Sequence, residues 1–291
     1  ILLFSTIKFN FKLFENIEYF TILIASIIRL LPFFVQILRL QNILRYSQTF
    51  IDEIIETIDY LNTYQIKKNN SEINFENNFE KIDFKKINFS YNEKKIIEDC
   101  NFKIKLNETI LIKGESGSGK TTLINIICNF IEPQSWEVSI NGNSISKETT
   151  FKNLFAYVPQ DKFVFEGEVW KNISLEYEKN RCNLDKIKEV LKLARLDIKP
   201  EFILFPNGQN LSGGQKQRLI IARALYFSKK IIIFDESTNE LDQENEYKII
   251  NDIKKIKDIS VVIISHKKTI MSLCDIIYNL ENKKLILEKK S

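Results

Sequence analysis

The chain has 291 residues, enough for one large domain and a smaller piece. Its formal net charge of +4 is small beside 42 basic and 38 acidic residues. The lysines are dispersed, so no electrostatic footprint of nucleic-acid binding stands out and we expect no nucleic-acid partner. The four cysteines lack C-x-x-C spacing, which is typical of reduced cytosolic thiols and argues against a metal site with cysteine ligands. Residue 1 is an isoleucine within apolar sequence, so we expect the natural protein to begin further upstream.

The first long element is an apolar run over residues 17–40, which follows polar residues between positions 8 and 16 that predict a break. Its length suits a membrane-spanning helix, which needs about 20 residues. Arg29 at mid-span would cost roughly 2.5 to 3.5 kcal/mol unless it faced a cavity or a partner, and Pro32 would kink the span. A buried or interfacial helix is the alternative. A cleavable signal peptide fits poorly, because the run is too long and no cleavage site follows.

Beyond the span, residues 39–64 place apolar side chains at helical spacing among charged ones, as in a helix that leaves the membrane. Arg39 and Arg45 follow the apolar run, consistent with the positive-inside rule. Residues 66–80 lose the helical period and are rich in polar side chains. We therefore predict three parts: the C-terminal end of a transmembrane domain over residues 1–65, a linker over 66–80, and a globular domain over 81–291.

A glycine-rich loop at residues 114–121 fits the pattern G-x-x-x-x-G-K-[ST] without a gap. An apolar run before it predicts a strand and a second run after it predicts a helix, which is the context that a P-loop requires. The glycines let backbone N–H groups turn toward a phosphate, and the helix adds its positive N-terminal end. Lys120 would reach the β- and γ-phosphates, and Thr121 would hold Mg²⁺. We predict nucleotide binding by Gly114, Glu115, Ser116, Gly117, Ser118, Gly119, Lys120, Thr121 and Thr122.

The rest of the globular domain shows both strand and helix patterns. Alternation over residues 82–89 and 102–106 predicts antiparallel strands, whereas continuous apolar runs over 231–234 and 261–264 predict parallel strands covered on both faces. Helices are predicted over residues 185–195, 214–227 and 245–257. The fold class is thus α/β: a P-loop NTPase with a RecA-like parallel-sheet core, an antiparallel β edge and a helical insertion between about 162 and 213, preceded by a membrane-spanning helix.

A second motif, Leu-Ser-Gly-Gly-Gln at residues 211–215, resembles the signature of ATP-binding cassette (ABC) ATPases. A serine and two glycines at a helix N-terminus form another anion-binding site. In that family two cassettes meet head to tail, and each offers its signature to the nucleotide of the other. The resemblance implies ATP as the ligand and a second half-transporter, identical or different, as the partner. The residues that would act in trans are Leu211, Ser212, Gly213, Gly214 and Gln215.

Further motifs follow in the order of that family. Asp235 and Glu236 end an apolar strand, as in a Walker B motif; the resemblance implies that Asp235 holds Mg²⁺ and that Glu236 polarises the attacking water. Gln160 resembles the Q-loop glutamine, which contacts the metal. Acidic pairs are also common at strand ends, and a Gln after Pro is usually a plain loop residue.

Two more residues complete the resemblance. His266, the single histidine of the chain, follows an apolar strand as the switch histidine that touches the γ-phosphate does, although a lone histidine is more often structural. Tyr91 resembles the aromatic residue that stacks on adenine, and an ordinary strand aromatic is the alternative.

The sequence departs from the family pattern at two places. Residues 239–242 are Asn-Glu-Leu-Asp where Ser-Ala-Leu-Asp is common, and Glu240 adds a carboxylate near the expected dimer seam. Residues 205–210 lack the acid that exporters usually carry just before the signature, which puts the contact between cassette and membrane domain in doubt.

A span followed by a short linker and a cassette resembles the half-size ABC exporters. Residues 29–32 resemble the last span of lipid-linked oligosaccharide and polysaccharide flippases, and the stretch after Gln160 resembles exporter cassettes. The implied protein hydrolyses ATP to move a lipid-linked or amphipathic substrate. It would be multi-pass in the inner (plasma) membrane, in contact with membrane lipids, with a cytoplasmic cassette. A non-hydrolytic ATP-gated module and a soluble factor acting on nucleic acid remain as alternatives; Glu236 with His266 argues against the first, and residues 17–40 against the second.

Overall fold

The structure, a computed structural model, describes residues 2–63, 78–146, 149–227, 229–237 and 241–290. They divide into two compact units, an N-terminal helix and a larger α/β domain. The helix, α1, extends over Leu2–Thr63 and includes Pro32. It continues through residues 8–16, so the predicted break there is wrong; those residues include neither Gly nor Pro, the two strong helix breakers. Residues 19–60 of α1 are exposed in this unit, and their length and composition suffice to cross a membrane.

The larger unit begins with an antiparallel sheet in the order β2-β1-β4-β5. Its alternating burial confirms the predicted half-buried strands. Just before it, Phe79 is buried and the Asn141 side chain accepts hydrogen bonds from the backbone N–H groups of Glu80 and Lys81. The strands are β1 (Lys81–Tyr91), β2 (Lys94–Lys105), β4 (Ser135–Ile140) and β5 (Asn143–Ser144).

A second sheet of six strands has the order β12-β11-β3-β10-β9-β6. All neighbours are parallel except β12, which pairs antiparallel with β11. The strands are β3 (Thr109–Lys113), β6 (Phe155–Val158), β9 (Ile231–Asp235), β10 (Ser260–Ile264), β11 (Ile276–Glu281) and β12 (Lys284–Lys290).

The parallel strands β9 and β10 are buried along their whole length, as predicted from their continuous apolar runs. Alternate residues of β9 enter two hydrophobic clusters: Ile231 and Ile233 join one, and Ile232 and Phe234 join the other. A core therefore covers each face of the sheet. The polar residues that follow β3, β6, β9 and β10 all emerge at the C-terminal edge of the sheet, where parallel α/β sheets bind their ligands.

Helices cover the sheet and form the predicted insertion. The predicted helices at 185–195, 214–227 and 245–257 are present, each beginning one or two residues earlier. The insertion also contains a two-stranded sheet of β7 (Gly167–Glu168) and β8 (Ile203–Leu204). The helices are α2 (Lys120–Ile127), α3 (Val169–Ser174), α4 (Leu184–Leu193), α5 (Gly213–Tyr226), α6 (Gln243–Lys254) and α7 (Lys268–Met271), with 3₁₀ turns at Lys152–Leu154, Lys179–Arg181 and Pro206–Gly208.

Candidate nucleotide-binding site

The P-loop joins β3 to α2 and needs glycine at two positions. Gly114 has φ +152°, and a Cβ there would lie 2.5 Å from the backbone oxygen of Leu280. Gly119, the N-cap of α2, has φ +103°, and its Cβ would lie 2.7 Å from Cγ2 of Ile96. A side chain at either position would combine backbone strain with a clash, so the tight turn of this loop depends on both glycines.

The Lys120 side chain lies buried at the centre of the loop, with only 5% of its surface exposed. Its Nζ donates hydrogen bonds to the backbone oxygens of Gly114 (2.9 Å) and Glu115 (2.8 Å). It also lies 3.7 Å from Oε1 of Glu236. The loop thus holds a buried ammonium group next to the carboxylate that the sequence predicts to be catalytic.

The Asp235 carboxylate ends β9 with 2% of the residue exposed. Oδ1 accepts a hydrogen bond from Oγ1 of Thr121 at 3.3 Å, and Oδ2 accepts one from the Tyr157 hydroxyl at 2.8 Å. Burial raises the pKa of Asp235 above its ordinary value. Burial, followed by the hydrogen bond to Asp235, raises the pKa of Tyr157, so this hydroxyl remains a donor. Two predicted magnesium ligands, Thr121 and Asp235, therefore meet directly.

Glu236 follows β9 in a left-handed backbone conformation with φ +48°. This conformation costs roughly 1 to 2 kcal/mol for a residue other than glycine, and such strain clusters at functional sites. The side chain is 28% exposed. It therefore faces the Lys120 ammonium while water can still reach it.

Gln160 and His266 each lie two residues beyond a parallel strand, β6 and β10 respectively, and both are exposed. Because β6, β9 and β10 are neighbours, these residues emerge at the same sheet edge as Asp235. Next to His266, Nζ of Lys267 pairs with the fully buried Glu246 of α6 at 2.8 Å and donates to the backbone oxygen of Leu241 at 3.4 Å. The loop that carries His266 is thus fastened to α6 by an ion pair.

A cleft of about 610 Å³ lies beside the P-loop. Tyr91 is not part of its lining: it lies at the end of β1, 49% exposed, with its ring edge-on to Phe89 at 4.8 Å between centroids. The structure thus does not bring Tyr91 to this cleft, although the ring surface is available for stacking. The lining comprises Glu115, Ser116, Gly117 and Ser118 together with residues 94–96 and 279–283.

The signature stretch begins α5 and satisfies its own helix end. Ser212 is the N-cap; its Oγ accepts from the Gln215 backbone N–H (3.2 Å), and Oε1 of Gln215 accepts from the Ser212 backbone N–H (2.8 Å). Leu211 is buried, whereas Ser212 and Gly213 are exposed and Gly214 and Gln215 are partly exposed. Among the described residues, no hydrogen bond joins this stretch to residues 114–121. Ser212 and Gly213 of the signature are therefore accessible at the surface.

Of the two departures from the family pattern, only the stretch before the signature lies wholly within the described residues. Residues 238–240, with Glu240, lie outside the described part of the chain. Before the signature, the Asn210 side chain accepts from the Phe205 backbone N–H at 3.0 Å and donates to the backbone oxygen of Ile203 at 2.9 Å. An amide therefore closes the turn that precedes the signature. The contacts of Tyr157 and Lys267 were not predicted. Tyr157 lies three residues before Gln160 and Lys267 directly follows His266, so closeness in sequence to a predicted site residue is the only indication that the sequence offers.

Comparison with known proteins gives the family. The family model described as "ABC transporter" matches residues 97–239. The pediocin PA-1 transport/processing ATP-binding protein of Pediococcus acidilactici is 36% identical over 218 residues, 70% of this chain and 30% of that protein. The ATP-dependent lipid A-core flippase of Desulfotalea psychrophila is 35% identical over 198 residues, 65% of this chain and 34% of the flippase.

Among solved structures, the chain matches a bacterial Atm1-family ABC exporter with ATP bound. The TM-score is 0.68 at 22% identity, and the match covers 82% of this chain and 44% of that one. This likeness confirms the predicted fold class. The chain thus spans less than half the length of each of these relatives. The cassette of this chain, matched over residues 97–239, belongs to the ABC transporter family, and the proteins that it matches include exporters of that family.

Proposed function

We propose that this chain is the ATP-hydrolysing part of an ABC exporter that moves a lipid-linked or amphipathic substrate across a membrane. One observation carries the proposal: Lys120, Thr121, Asp235 and Glu236 meet within hydrogen-bond or ion-pair distance at the C-terminal edge of the parallel sheet. The arrangement combines a cation for the phosphates, oxygen ligands for a metal and a carboxylate that water can reach.

The residues present fit ATP with Mg²⁺. The Thr121 hydroxyl and the Asp235 carboxylate, 3.3 Å apart, are the hard oxygen donors that Mg²⁺ prefers, and Gln160 is the third residue that we expect to hold it. The buried Ser118 hydroxyl has no hydrogen-bond partner among the described residues, which suits a loop built to receive phosphate oxygens. When bound, Mg²⁺ neutralises charge that develops on the phosphates.

The remaining roles follow from charge and access. Lys120 would offset the charge of the β- and γ-phosphates from the buried centre of the loop. Glu236 would accept a proton from the attacking water, since its carboxylate is partly exposed. His266 would donate a hydrogen bond to the γ-phosphate, and Tyr91 would stack on adenine.

The assembly is also part of the proposal. The exposure of Ser212 and Gly213 within the signature, residues 211–215, supports completion of each nucleotide site by a second half-transporter, identical or different. We place residues 1–65 at the end of a transmembrane domain, residues 66–80 in a linker and residues 81–291 in the cytoplasmic cassette. The full-length protein would be multi-pass in the inner membrane, in contact with its lipids. The lipid A-core flippase and the pediocin PA-1 transport protein among the relatives support a lipid-linked or amphipathic substrate.

The test is Glu236→Gln in the full-length protein extracted from membranes. The amide keeps the size of the side chain but cannot accept the proton, so we expect ATP turnover to fall by at least about 100-fold while ATP binding persists. Glu137→Gln, on the antiparallel sheet and paired with Lys86, is the matched control and should leave turnover unchanged. Turnover that persists in the Glu236 variant would overturn this assignment, and recovery of the wild-type protein without detergent would overturn its place in the membrane.

A further inference from the structure

The Tyr157 hydroxyl takes part in a contact that the roles assigned above do not use. It donates to Oδ2 of Asp235 at 2.8 Å, while Oδ1 of the same carboxylate is bonded to Thr121. The two residues are 78 positions apart in the chain and meet because β6 and β9 are neighbours, with Tyr157 paired to Ile233 in the parallel ladder.

The position of the Tyr157 ring is fixed by packing. The ring packs against the hydrophobic cluster that contains Ile231 and Ile233 of β9, and it meets Phe130 edge-on at 5.8 Å between centroids. Phe130 lies three residues beyond the end of α2, the helix that begins with Lys120 and Thr121. The ring is therefore held between the strand of Asp235 and the helix of the P-loop, so its hydroxyl has little freedom to turn away.

We propose that Tyr157 is a positioning residue for the magnesium site. Its hydroxyl fixes Oδ2 of Asp235 and so orients Oδ1 toward Thr121. A carboxylate on an sp³ stem can rotate, and a ligand that is held by an outer partner binds its metal more tightly because less freedom is lost. This inference rests on the proposed function, since it requires that Asp235 binds the metal.

The same contact ties the metal ligand to the strand that leads to Gln160. Tyr157 lies three residues before Gln160, and β6 ends at Val158 between them. Gln160 and the Asp235 carboxylate are thus connected through one short strand and one hydrogen bond. A displacement of β6 would move the hydroxyl and weaken its hold on Asp235.

The test is Tyr157→Phe, which removes the hydroxyl and keeps the ring. In the full-length protein carrying Glu236→Gln to prevent turnover, Mn²⁺ affinity is measured with ATP present by the electron paramagnetic resonance of free Mn²⁺. We expect Tyr157→Phe to raise the Kd for Mn²⁺ by about tenfold, the low end of the range for outer-shell partners. ATP affinity in EDTA should remain unchanged, because this contact does not involve the P-loop amides.

Tyr278→Phe is the matched control. Tyr278 lies on β11 of the same sheet, packs on Phe102 at 5.3 Å and is half-buried, but does not contact Asp235. Equal Mn²⁺ affinities for the two Phe variants and the parent would overturn the inference and leave the proposed function standing. Asp235→Asn tests the proposed metal site separately from the positioning role of Tyr157. If this variant binds Mn²⁺ as tightly as the parent, the metal site is wrong, and the positioning role is wrong with it.

Discussion

The P-loop and the signature, the two elements that we expect to bind anions, are built in opposite ways. The P-loop is anchored to the core: Lys120 is buried, Gly114 and Gly119 lie against Leu280 and Ile96, and Thr121 is hydrogen-bonded to Asp235. The signature is at the surface, and Ser212 and Gln215 satisfy each other in a capping box. Both elements begin a helix, and the P-loop lies next to the carboxylates of Asp235 and Glu236.

This difference separates an element suited to bind a nucleotide within its own chain from one suited to complete the nucleotide site of another chain. A helix start that is embedded among strand ends can hold a nucleotide with its own chain, whereas an exposed, self-capped helix start is suited to meet a ligand that another chain brings. The capping box keeps α5 intact before any ligand arrives. The two elements should therefore respond differently to substitution.

The largest loss of turnover is expected at the P-loop. Lys120→Met keeps the aliphatic stem and removes the charge at the centre of the loop, so the phosphates lose their buried cation. We expect ATP turnover to fall by about 100- to 1,000-fold, the range for loss of one preorganised electrostatic group. The measurement is the rate of phosphate release by the full-length protein.

Lys113→Met is the control for this prediction. Lys113 ends β3, one residue before the loop, and pairs with Glu288 at 2.6 Å instead of facing the loop centre. Its loss should change turnover less than about twofold, because a pair of this exposure contributes little. Similar losses in both variants would show that positive charge near the loop, not the buried ammonium, is what matters.

A smaller loss of turnover, without a loss of ATP binding, is expected at the signature. Ser212→Asp keeps a good N-cap, so α5 should remain folded, but the new carboxylate would repel the phosphates of a nucleotide held by a partner. We expect turnover to fall by about 100-fold while ATP binding to the chain's own P-loop is retained. Retained turnover would contradict a role for the signature at the nucleotide.

Mixing the two variants sharpens the comparison. If the partner is an identical chain, a Lys120→Met chain and a Ser212→Asp chain together form one site with an intact P-loop and an intact signature. Turnover should then rise well above that of either variant alone. No recovery on mixing would argue against a site shared between copies.

The smallest effect concerns the contact between the helical insertion and α6. Arg195, just after α4, donates to Asp252 of α6 at 2.8 Å, and this hydrogen bond holds the pKa of Asp252 below its ordinary value. A depressed carboxylate pKa stabilises the fold above the unfolded pKa of about 3.9 and stops doing so as the pH falls through the folded value. Because both side chains are about one-third exposed, we expect less than about 1 kcal/mol.

Asp252→Asn should therefore lower the melting temperature slightly at pH 7, and the difference from wild type should shrink as the pH falls below about 4. Asp185→Asn serves as the control, since Asp185 pairs with Lys188 within α4 and does not connect the helical insertion to α6. If the melting-temperature difference between wild type and Asp252→Asn grew toward acid pH, the ionised Asp252 carboxylate would be shown to destabilise the fold.

Local patterns were sufficient to predict much of this architecture. The P-loop, the buried strands β9 and β10 and the three longer helices of the α/β domain follow from spacing within a dozen residues. The roles of all the predicted site residues, including Gln160, His266 and Tyr91, stay predictions. The hydrogen bond between Tyr157 and Asp235 could not be predicted, because it depends on β6 being the neighbour of β9, and strand order is not written in either strand. The continuity of α1 through residues 8–16 was not predicted, because the polar side chains there indicate a break although they include neither Gly nor Pro.

The length of α1 sets a requirement for whatever surrounds it. At 1.5 Å per residue its 62 residues extend roughly 90 Å, about three times the hydrocarbon thickness of a bilayer. Apolar side chains continue well past position 40, with Ile43, Leu44, Phe50, Ile51, Ile54, Ile55 and Ile58 all at least half exposed in this helix. Lipid can cover only one stretch of about 20 residues. The remaining apolar surface therefore needs protein to cover it, which makes α1 a helix whose stability in water depends on its neighbours.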